Sequence, residues 1–312
     1  MDTPSTDSSR RLAGRKAFIT GISSGIGLAC AKRFVDEGAV VGGFDVQAIP
    51  PGGGHLPDAP DQLGPVHIGD VRDEAAVITA VEQFVDQLGG IDILVNAAGV
   101  STFGAVHELA ADEWDRVVDI NLKGTFLVCK HVVPHMVAAG AGSIINLASV
   151  EGLVGFASQA AYNASKGGVV LLTRNMAADY GPSGVRVNCI CPGLVETPMT
   201  APLKEDWLKP IHDQFVGLHL LQRAAQPSEI ASAAFFLASD DASFVHGHAL
   251  VVDGGLTAGR RLDIAELAGR ASRPQQFSAC MGALPRGLVR PARLPCTVLN
   301  VFPFSNESKR HV

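Results

Sequence analysis

The sequence predicts an α/β fold: a single doubly wound, parallel seven-stranded sheet with helices on both faces. Three observations predict it. Strand-like and helix-like stretches alternate along the chain, as they do in proteins built from successive β-α-β units. Several strands read as unbroken apolar runs, the pattern of strands buried on both faces. A glycine-rich turn joins the first strand to the first helix, and an acid closes the second strand. Glycines there let the chain bend tightly and let a phosphate approach the amides of a helix N-terminus.

The elements follow in order. Residues 1–13 are polar and are expected to form a disordered N-terminal extension. Residues 16–20 form a short apolar run, hence a buried strand, and 28–37 a helix stopped by Gly38. A second strand covers 40–44 and closes on Asp45. The Pro/Gly-rich stretch 49–65 is too broken for a helix and reads as a surface loop. Residues 66–68 make a third strand ending at Asp70, 74–88 a helix, and 91–95 a fourth strand followed by Asn96-Ala97-Ala98-Gly99. Asp112 can cap a long helix that runs past Cys129 and bends near Pro134. Residues 142–147 form a fifth strand leading to Ser149, and 162–180 a helix ended by Gly181-Pro182. A sixth strand over 185–190 leads into Pro192-Gly193. The mixed stretch 197–222 reads as a mobile cover over a site. Pro227 opens a helix to Ala238, at the position proline favours, and 249–252 is the last strand.

Composition narrows the function. The apolar fraction of 47% is ample for a core, while 6% aromatic and 18% charged residues suit close-packed helices on a sheet. The net charge of −6 is uneven: from Arg260 onward the chain carries about +6, and the preceding body about −12. An acidic body gives no electrostatic reason to bind nucleic acid or a membrane. The six cysteines (Cys30, Cys129, Cys189, Cys191, Cys280, Cys296) complete no zinc set and read as reduced thiols of a cytoplasmic protein. No apolar leader and no membrane-spanning run is present. His131 and His135 share a helix face but have no third ligand, so no metal is expected. His246 and His248 read as loop or subunit-contact residues.

Two constellations carry chemistry. The first is Thr20-Gly21-Ile22-Ser23-Ser24-Gly25-Ile26-Gly27 with Asp45 at the end of the next strand. A carboxylate there can accept hydrogen bonds from a ribose 2′-hydroxyl and repels a 2′-phosphate. No Arg or Lys lies in the turn or directly after Asp45 to offset it, so NAD is favoured over NADP. The second is Tyr162 and Lys166, four apart, which share one face of a helix. A phenol is a poor base at neutral pH, and an ammonium beside it is expected to favour the phenolate.

These residues resemble the short-chain dehydrogenase/reductase family, over roughly residues 14–259. The glycine turn matches its Thr-Gly-x-x-x-Gly-x-Gly motif, and Asn96-Ala97-Ala98-Gly99 its Asn-Asn-Ala-Gly, with Ala at the second position. Tyr162 and Lys166 complete its Tyr-x-x-x-Lys, and Ser149 precedes Tyr162 at the usual distance. The resemblance implies a dinucleotide-binding, Rossmann-type catalytic domain over 14–259 and leaves 260–312 as a basic Arg/Pro-rich appendage, expected to be poorly ordered. It implies catalytic roles for Asn121, Ser149, Tyr162 and Lys166. Ser149 would hold the substrate oxygen, Tyr162 would move the proton, Lys166 would support Tyr162 and bind the nicotinamide ribose, and Asn121 would hold a water. Cofactor contacts would come from Gly21, Ser23, Ser24, Gly25, Ile26, Gly27, Asp45, Asp70, Val71, Asn96, Ala97, Gly99, Pro192, Gly193, Val195 and Thr197, with Tyr162 and Lys166.

The activity implied is an NAD(H)-dependent interconversion of a secondary alcohol and a ketone. An NADPH-linked 3-oxoacyl reductase and a non-catalytic NAD-sensing protein are the alternatives. The family usually assembles as homotetramers, sometimes homodimers, and the small face of Ala161, Ala164, Gly167, Gly168 and Leu171 would permit close helix packing. Glu151 and Gln159 border the expected substrate cleft, and Phe103, Leu153, Phe156, Trp207 and Phe215 give it apolar walls.

Overall fold

In the computed structural model, residues 10–49 and 60–260 are described. Most of the expected N-terminal extension, part of the 49–65 loop, and the C-terminal appendage with Cys280 and Cys296 lie outside the described residues. The strands are β1 (Lys16–Thr20), β2 (Val40–Asp45), β3 (Leu63–Ile68), β4 (Ile93–Asn96), β5 (Gly142–Leu147), β6 (Val185–Pro192) and β7 (Ala249–Val252). The helices are α1 (Gly25–Asp36), α2 (Glu74–Leu88), α3 (Ala111–Val118), α4 (Gly124–Ala139), α5 (Ala160–Tyr180), α6 (Lys209–Leu218) and α7 (Pro227–Ala238).

All seven strands join one sheet in the order β3-β2-β1-β4-β5-β6-β7, and every pairing is parallel. Strand alternation sends side chains to two cores. Ala17, Ile19, Ile93 and Val95 pack under α1 and α7 with Phe34 and Ile230. Phe18 and Leu94 face the other way, against α2, α4 and α5 with Phe84, Val132 and Met176. Phe18 meets Phe84 edge-on at 5.3 Å. The order of strand addition reverses between β1 and β4, all strands staying parallel, and the carboxyl ends of strands at such a switch point open a crevice.

Several expectations are corrected. The third strand begins at Leu63, because the register with β2 continues back to Val41 through an irregularity before Gly43. Helix α1 starts at Gly25, inside the glycine turn rather than after it. The expected long helix runs without a break from α3 into α4, with a π-turn, Asp119–Lys123, inside it. Pro134 lies within α4, which runs through it. Asp112 does not cap. The cap position is Ala110, and Asp112 sits in the first turn, where its negative charge still favours the helix N-terminus. The π-turn turns Asn121 inward to 1% exposure, and Gly124 just after it packs on Val71, where a Cβ would lie 2.6 Å from Cγ2. Single π-turns of this kind recur at functional sites.

Candidate active site

The glycine turn crosses the carboxyl end of β1. Gly21 takes φ +68, and an added Cβ would lie 2.8 Å from the Ala98 nitrogen. At Gly27 a Cβ would lie 2.1 Å from the Gly21 carbonyl oxygen, so the first turn of α1 rests directly on the bend. The cap residue Ser24 makes no side-chain bond to the helix, and no acid occupies its first turn. Amides at this helix start are therefore left without a side-chain acceptor, which is what a phosphate requires. Thr20 Oγ1 accepts from the Ala97 and Ala98 N–H groups at 3.1 and 3.2 Å, tying the Asn96–Gly99 segment to the turn.

Asp45 is held from both sides. Its carboxylate accepts from the Ser23 N–H at 2.9 Å and the Gln47 N–H at 3.0 Å, and Ser23 Oγ donates to the Gln47 carbonyl. The acid is thus fixed beside the turn where a dinucleotide's ribose would lie. Further out, Asp70 is gripped by Arg72, whose Nε and Nη2 reach its carboxylate at 3.0 and 2.7 Å. That pairing holds the Asp70 carboxyl below its ordinary range.

Not every expected cofactor contact faces the crevice. Asn96 donates from Nδ2 to Asn146 Oδ1 at 2.9 Å and to Cys129 Sγ at 3.2 Å. Its side chain is committed to the core, so any contact it makes there is through its backbone. Val71 is buried among α2 and α4 side chains, and Val195 is buried on the opposite side of the sheet.

The second constellation gathers at the carboxyl end of β5. Ser149 lies two residues past that strand and accepts from the Glu151 N–H at 3.1 Å. Tyr162 and Lys166 stand on the first turns of α5, and the Ser149 hydroxyl lies near enough to the Tyr162 phenol to act on its titration. Lys166 is 5% exposed, donates to the Leu147 carbonyl at 2.7 Å, and its Nζ sits 5.6 Å from the Tyr162 ring centre. Gly99 closes the group: a Cβ there would lie 3.3 Å from Asn121 Oδ1 and 3.6 Å from Lys166 Nζ. The missing side chain leaves room beside both.

Two expectations change in detail. The phenol was expected to be lowered by Lys166, but burial and the Glu151 carboxylate raise it, and only the Ser149 hydrogen bond opposes them. Desolvation likewise lowers the Lys166 ammonium to about 8. Removing both charges from water outweighs an attraction spread over this distance. The Asn121 side chain is fully engaged: Oδ1 accepts from the Val100 N–H at 2.8 Å, and Nδ2 donates to the Val100 carbonyl and to Ser165 Oγ at 2.9 and 3.1 Å. It clamps the loop after Gly99 onto α5, so a water held by Asn121 would have to donate to one of its oxygens.

The cover has a defined form. Phe215 of α6 stacks on Phe156 with ring centres 5.8 Å apart and 4° between planes. Of the other expected apolar walls, Phe103, Leu153 and Trp207 are exposed at 54%, 39% and 74%. Sequence reasoning missed His219. Its Nε2 accepts the Leu194 N–H at 3.0 Å, and its Nδ1 faces the Phe215 carbonyl at 2.8 Å. That pairing sets the tautomer and ties the end of α6 to the Pro192–Gly193 bend. A lone His in an apolar stretch, between Leu218 and Leu220, gave no signal of this.

Thr197 and Thr200 fasten the other end of the cover through the Thr197 N–H and Thr200 Oγ1 at 3.0 Å. His131 pairs with Glu74 of α2 at 2.9 Å, and His246 bridges the Val187 N–H and the Ala177 carbonyl. Burial pushes the Cys30 and Cys129 thiols up to about 12, as for packing residues.

Known proteins are similar to this chain. The family model described as Enoyl-(Acyl carrier protein) reductase matches residues 21–257. The 2-(R)-hydroxypropyl-CoM dehydrogenase of Xanthobacter autotrophicus is 40% identical over 250 residues, covering 78% of this chain and 99% of that protein. The meso-2,3-butanediol dehydrogenase of Serratia marcescens is 42% identical over 250 residues, covering 80% and 96%. The crystal structure of levodione reductase superposes with a TM-score of 0.76 at 37% identity, covering 80% of this chain and 99% of that one. The chain belongs to the short-chain dehydrogenase/reductase family. Dehydrogenases of this family use a nicotinamide cofactor, NAD or NADP.

Proposed function

We propose that the protein is an NAD(H)-dependent oxidoreductase that interconverts a secondary alcohol and a ketone. The observation that carries this reading is the convergence of Ser149, Tyr162 and Lys166 at one strand end, beside a glycine turn whose helix amides lack a side-chain cap. The relatives' printed names, a butanediol dehydrogenase and a hydroxypropyl-CoM dehydrogenase, support it. The Ser149 hydroxyl holds the substrate oxygen. The Tyr162 oxygen takes the alcohol proton in oxidation and returns it in reduction. Lys166, with one hydrogen fixed on Leu147, turns its remaining donors toward Tyr162 and a ribose, and Asn121 keeps the Gly99–Val100 wall in place. When bound, the nicotinamide supplies the two-electron acceptor or donor. A panel of sugars, steroids, cyclic diols and hydroxyacyl thioesters tests the reading by nicotinamide absorbance. Silence on every compound with both cofactors would contradict it.

The raised Tyr162 phenol sets a pH dependence. Oxidation releases a proton through a group that holds it tightly, so kcat for oxidation should climb toward alkaline pH. Reduction needs the protonated phenol and should be flat through neutrality, then fall. A reversed pair of pH profiles would remove Tyr162 from the proton path.

Asp45 supports NAD as the cofactor. Its fixed carboxylate bonds a free ribose hydroxyl and repels a 2′-phosphate, which disfavours the NADPH-linked 3-oxoacyl reductase. Asp45→Ala should lower the ratio of kcat/KM for NADH over NADPH by about 10–100-fold, the range of a charge-assisted contact. An unchanged ratio would mean the preference lies elsewhere.

Assembly as a homotetramer or homodimer in the cytoplasm completes the reading. The small-residue face is divided for this purpose: Gly168 packs inside the subunit on Leu122, while Leu171 and Phe126 are exposed and available to a second copy. No described helix is long and apolar enough to cross a membrane.

A further inference from the structure

Gln159 is a buried amide of the site that the chemistry above leaves without a task. It occupies the cap position before α5. Gln159, Tyr162 and Lys166 are spaced i, i+3 and i+7, so they line one stripe of that helix, with Gln159 about 4–5 Å before Tyr162 along the axis. The segment after β4 runs down the same stripe. Gly99 lies beside Lys166, where a Cβ would stand 3.6 Å from Nζ. Two residues on, Ser101 Oγ faces Gln159 Oε1 at 3.5 Å, and Gly104 pairs with Gln159 in an isolated parallel bridge. Gln159 and Lys166 thus bracket Tyr162 along one wall of the crevice.

The backbone here is strained. Ser158 lies in the left-handed region at φ +56, a conformation that costs a residue with a side chain and that clusters at ligand clamps. Its carbonyl accepts from the Gly104 N–H at 2.9 Å, which pins the strained residue to the facing segment. Gln159 itself is 4% exposed. The nearby amides of Asn121 and Asn163 are bonded at both ends. Gln159 is not. With Oε1 facing Ser101, its Nε2 has no acceptor among the described residues, and it is not one of the fully sealed polar atoms. The donor therefore keeps a little open surface through which a ligand can reach it. A largely desolvated N–H without an acceptor is costly, so the acceptor arrives with a ligand. The amide carries no charge to match an ion, and what it presents is a donor. The group that fits is a neutral oxygen, a carbonyl or a hydroxyl.

We infer that Gln159 is a specificity-determining residue of the site. Its Nε2 donates to a second, neutral oxygen of the substrate, so the protein favours secondary alcohols and ketones carrying a further hydroxyl or carbonyl over their hydrocarbon counterparts. This rests on the alcohol–ketone reading of the same site and names its substrate class. Gln159 takes no part in hydride or proton transfer.

The test measures kcat/KM with NAD(H) for two pairs: cyclohexane-1,4-diol against cyclohexanol, and cyclohexane-1,4-dione against cyclohexanone. The native protein should prefer the doubly oxygenated member of each pair, beyond the statistical advantage of two equivalent reacting carbons. Gln159→Leu removes the donor and should lower both ratios by about tenfold, as for one lost hydrogen bond, with the change mainly in KM. Gln159→Glu keeps the length but offers acceptors only. It should lose the preference for the dione and retain that for the diol, whose hydroxyl can donate. A merely structural role would not split the pairs in this way, and the split decides even if Gln159→Leu does not fold. No native preference, unchanged ratios, equal losses on all four compounds, or weakened NADH binding in place of changed ratios would overturn the role of Gln159 and leave the oxidoreductase reading standing. Absence of turnover by the native protein on every alcohol and ketone would overturn both.

Discussion

Tyr162→Phe is expected to lower kcat by about a thousandfold or more, while NADH affinity changes by no more than about threefold. The argument is one of balance. Oxidising an alcohol removes a hydride and a proton, and positioned acid–base groups contribute on the order of 10²–10⁴ in rate. The phenol lies near Ser149, and the Lys166 Nζ stands 5.6 Å from its ring centre. Phenylalanine keeps the ring and its packing but has no oxygen to carry the proton. Lys166, the glycine turn and Asp45 are untouched, so the cofactor should still bind. Stopped-flow turnover alongside a fluorescence titration with NADH separates the two effects. Retained turnover would remove Tyr162 from the reaction, and lost NADH binding would make its role structural.

Gly27→Ala should do the reverse, removing cofactor binding by damaging the scaffold. The new methyl would lie 2.1 Å from the Gly21 carbonyl oxygen and 2.6 Å from its carbon. Both are backbone atoms and cannot rotate aside, so α1 has to lift off the bend. Overpacking of this kind costs about 1–3 kcal/mol and occasionally more, and the displaced helix start carries its amides away from a phosphate. A melting temperature lowered by several degrees and at least tenfold weaker NADH binding are expected. Gly155→Ala is the control, because a Cβ there meets nothing within 4 Å. Normal NADH affinity in Gly27→Ala would show that close helix–turn contact is not what holds the cofactor.

Much of this was legible in the sequence because the fold repeats one local rule. Several strands are apolar runs ended by a turn residue, and residues that act at the carboxyl edge lie at or just past their ends: Asp45 closing β2, Ser149 two residues after β5, Pro192-Gly193 at the end of β6. Spacing alone put Tyr162 and Lys166 on one helix face.

What escaped depends on contacts between distant segments. The π-turn at Asp119–Lys123 has no local signature, since Gly124 must first meet Val71. The burial of the Asn96 side chain depends on Asn146, fifty residues away, and His219 finds its partner at Leu194. The sense of the Tyr162 shift was misjudged for a related reason. Spacing reveals that a lysine is near but not that both groups are desolvated or that Glu151 stands beside them.

The direct test of the central claim follows the hydride itself. Full-length protein is incubated with NAD and 2,3-butanediol deuterated at its carbinol carbons, and the reduced nicotinamide is examined by mass spectrometry. Deuterium on the nicotinamide ring, with unlabelled product from unlabelled diol and none from Tyr162→Phe, is the result predicted. Tight NADH binding with no reduced nicotinamide formed from any alcohol would contradict the account and favour a protein that senses the dinucleotide without turning it over.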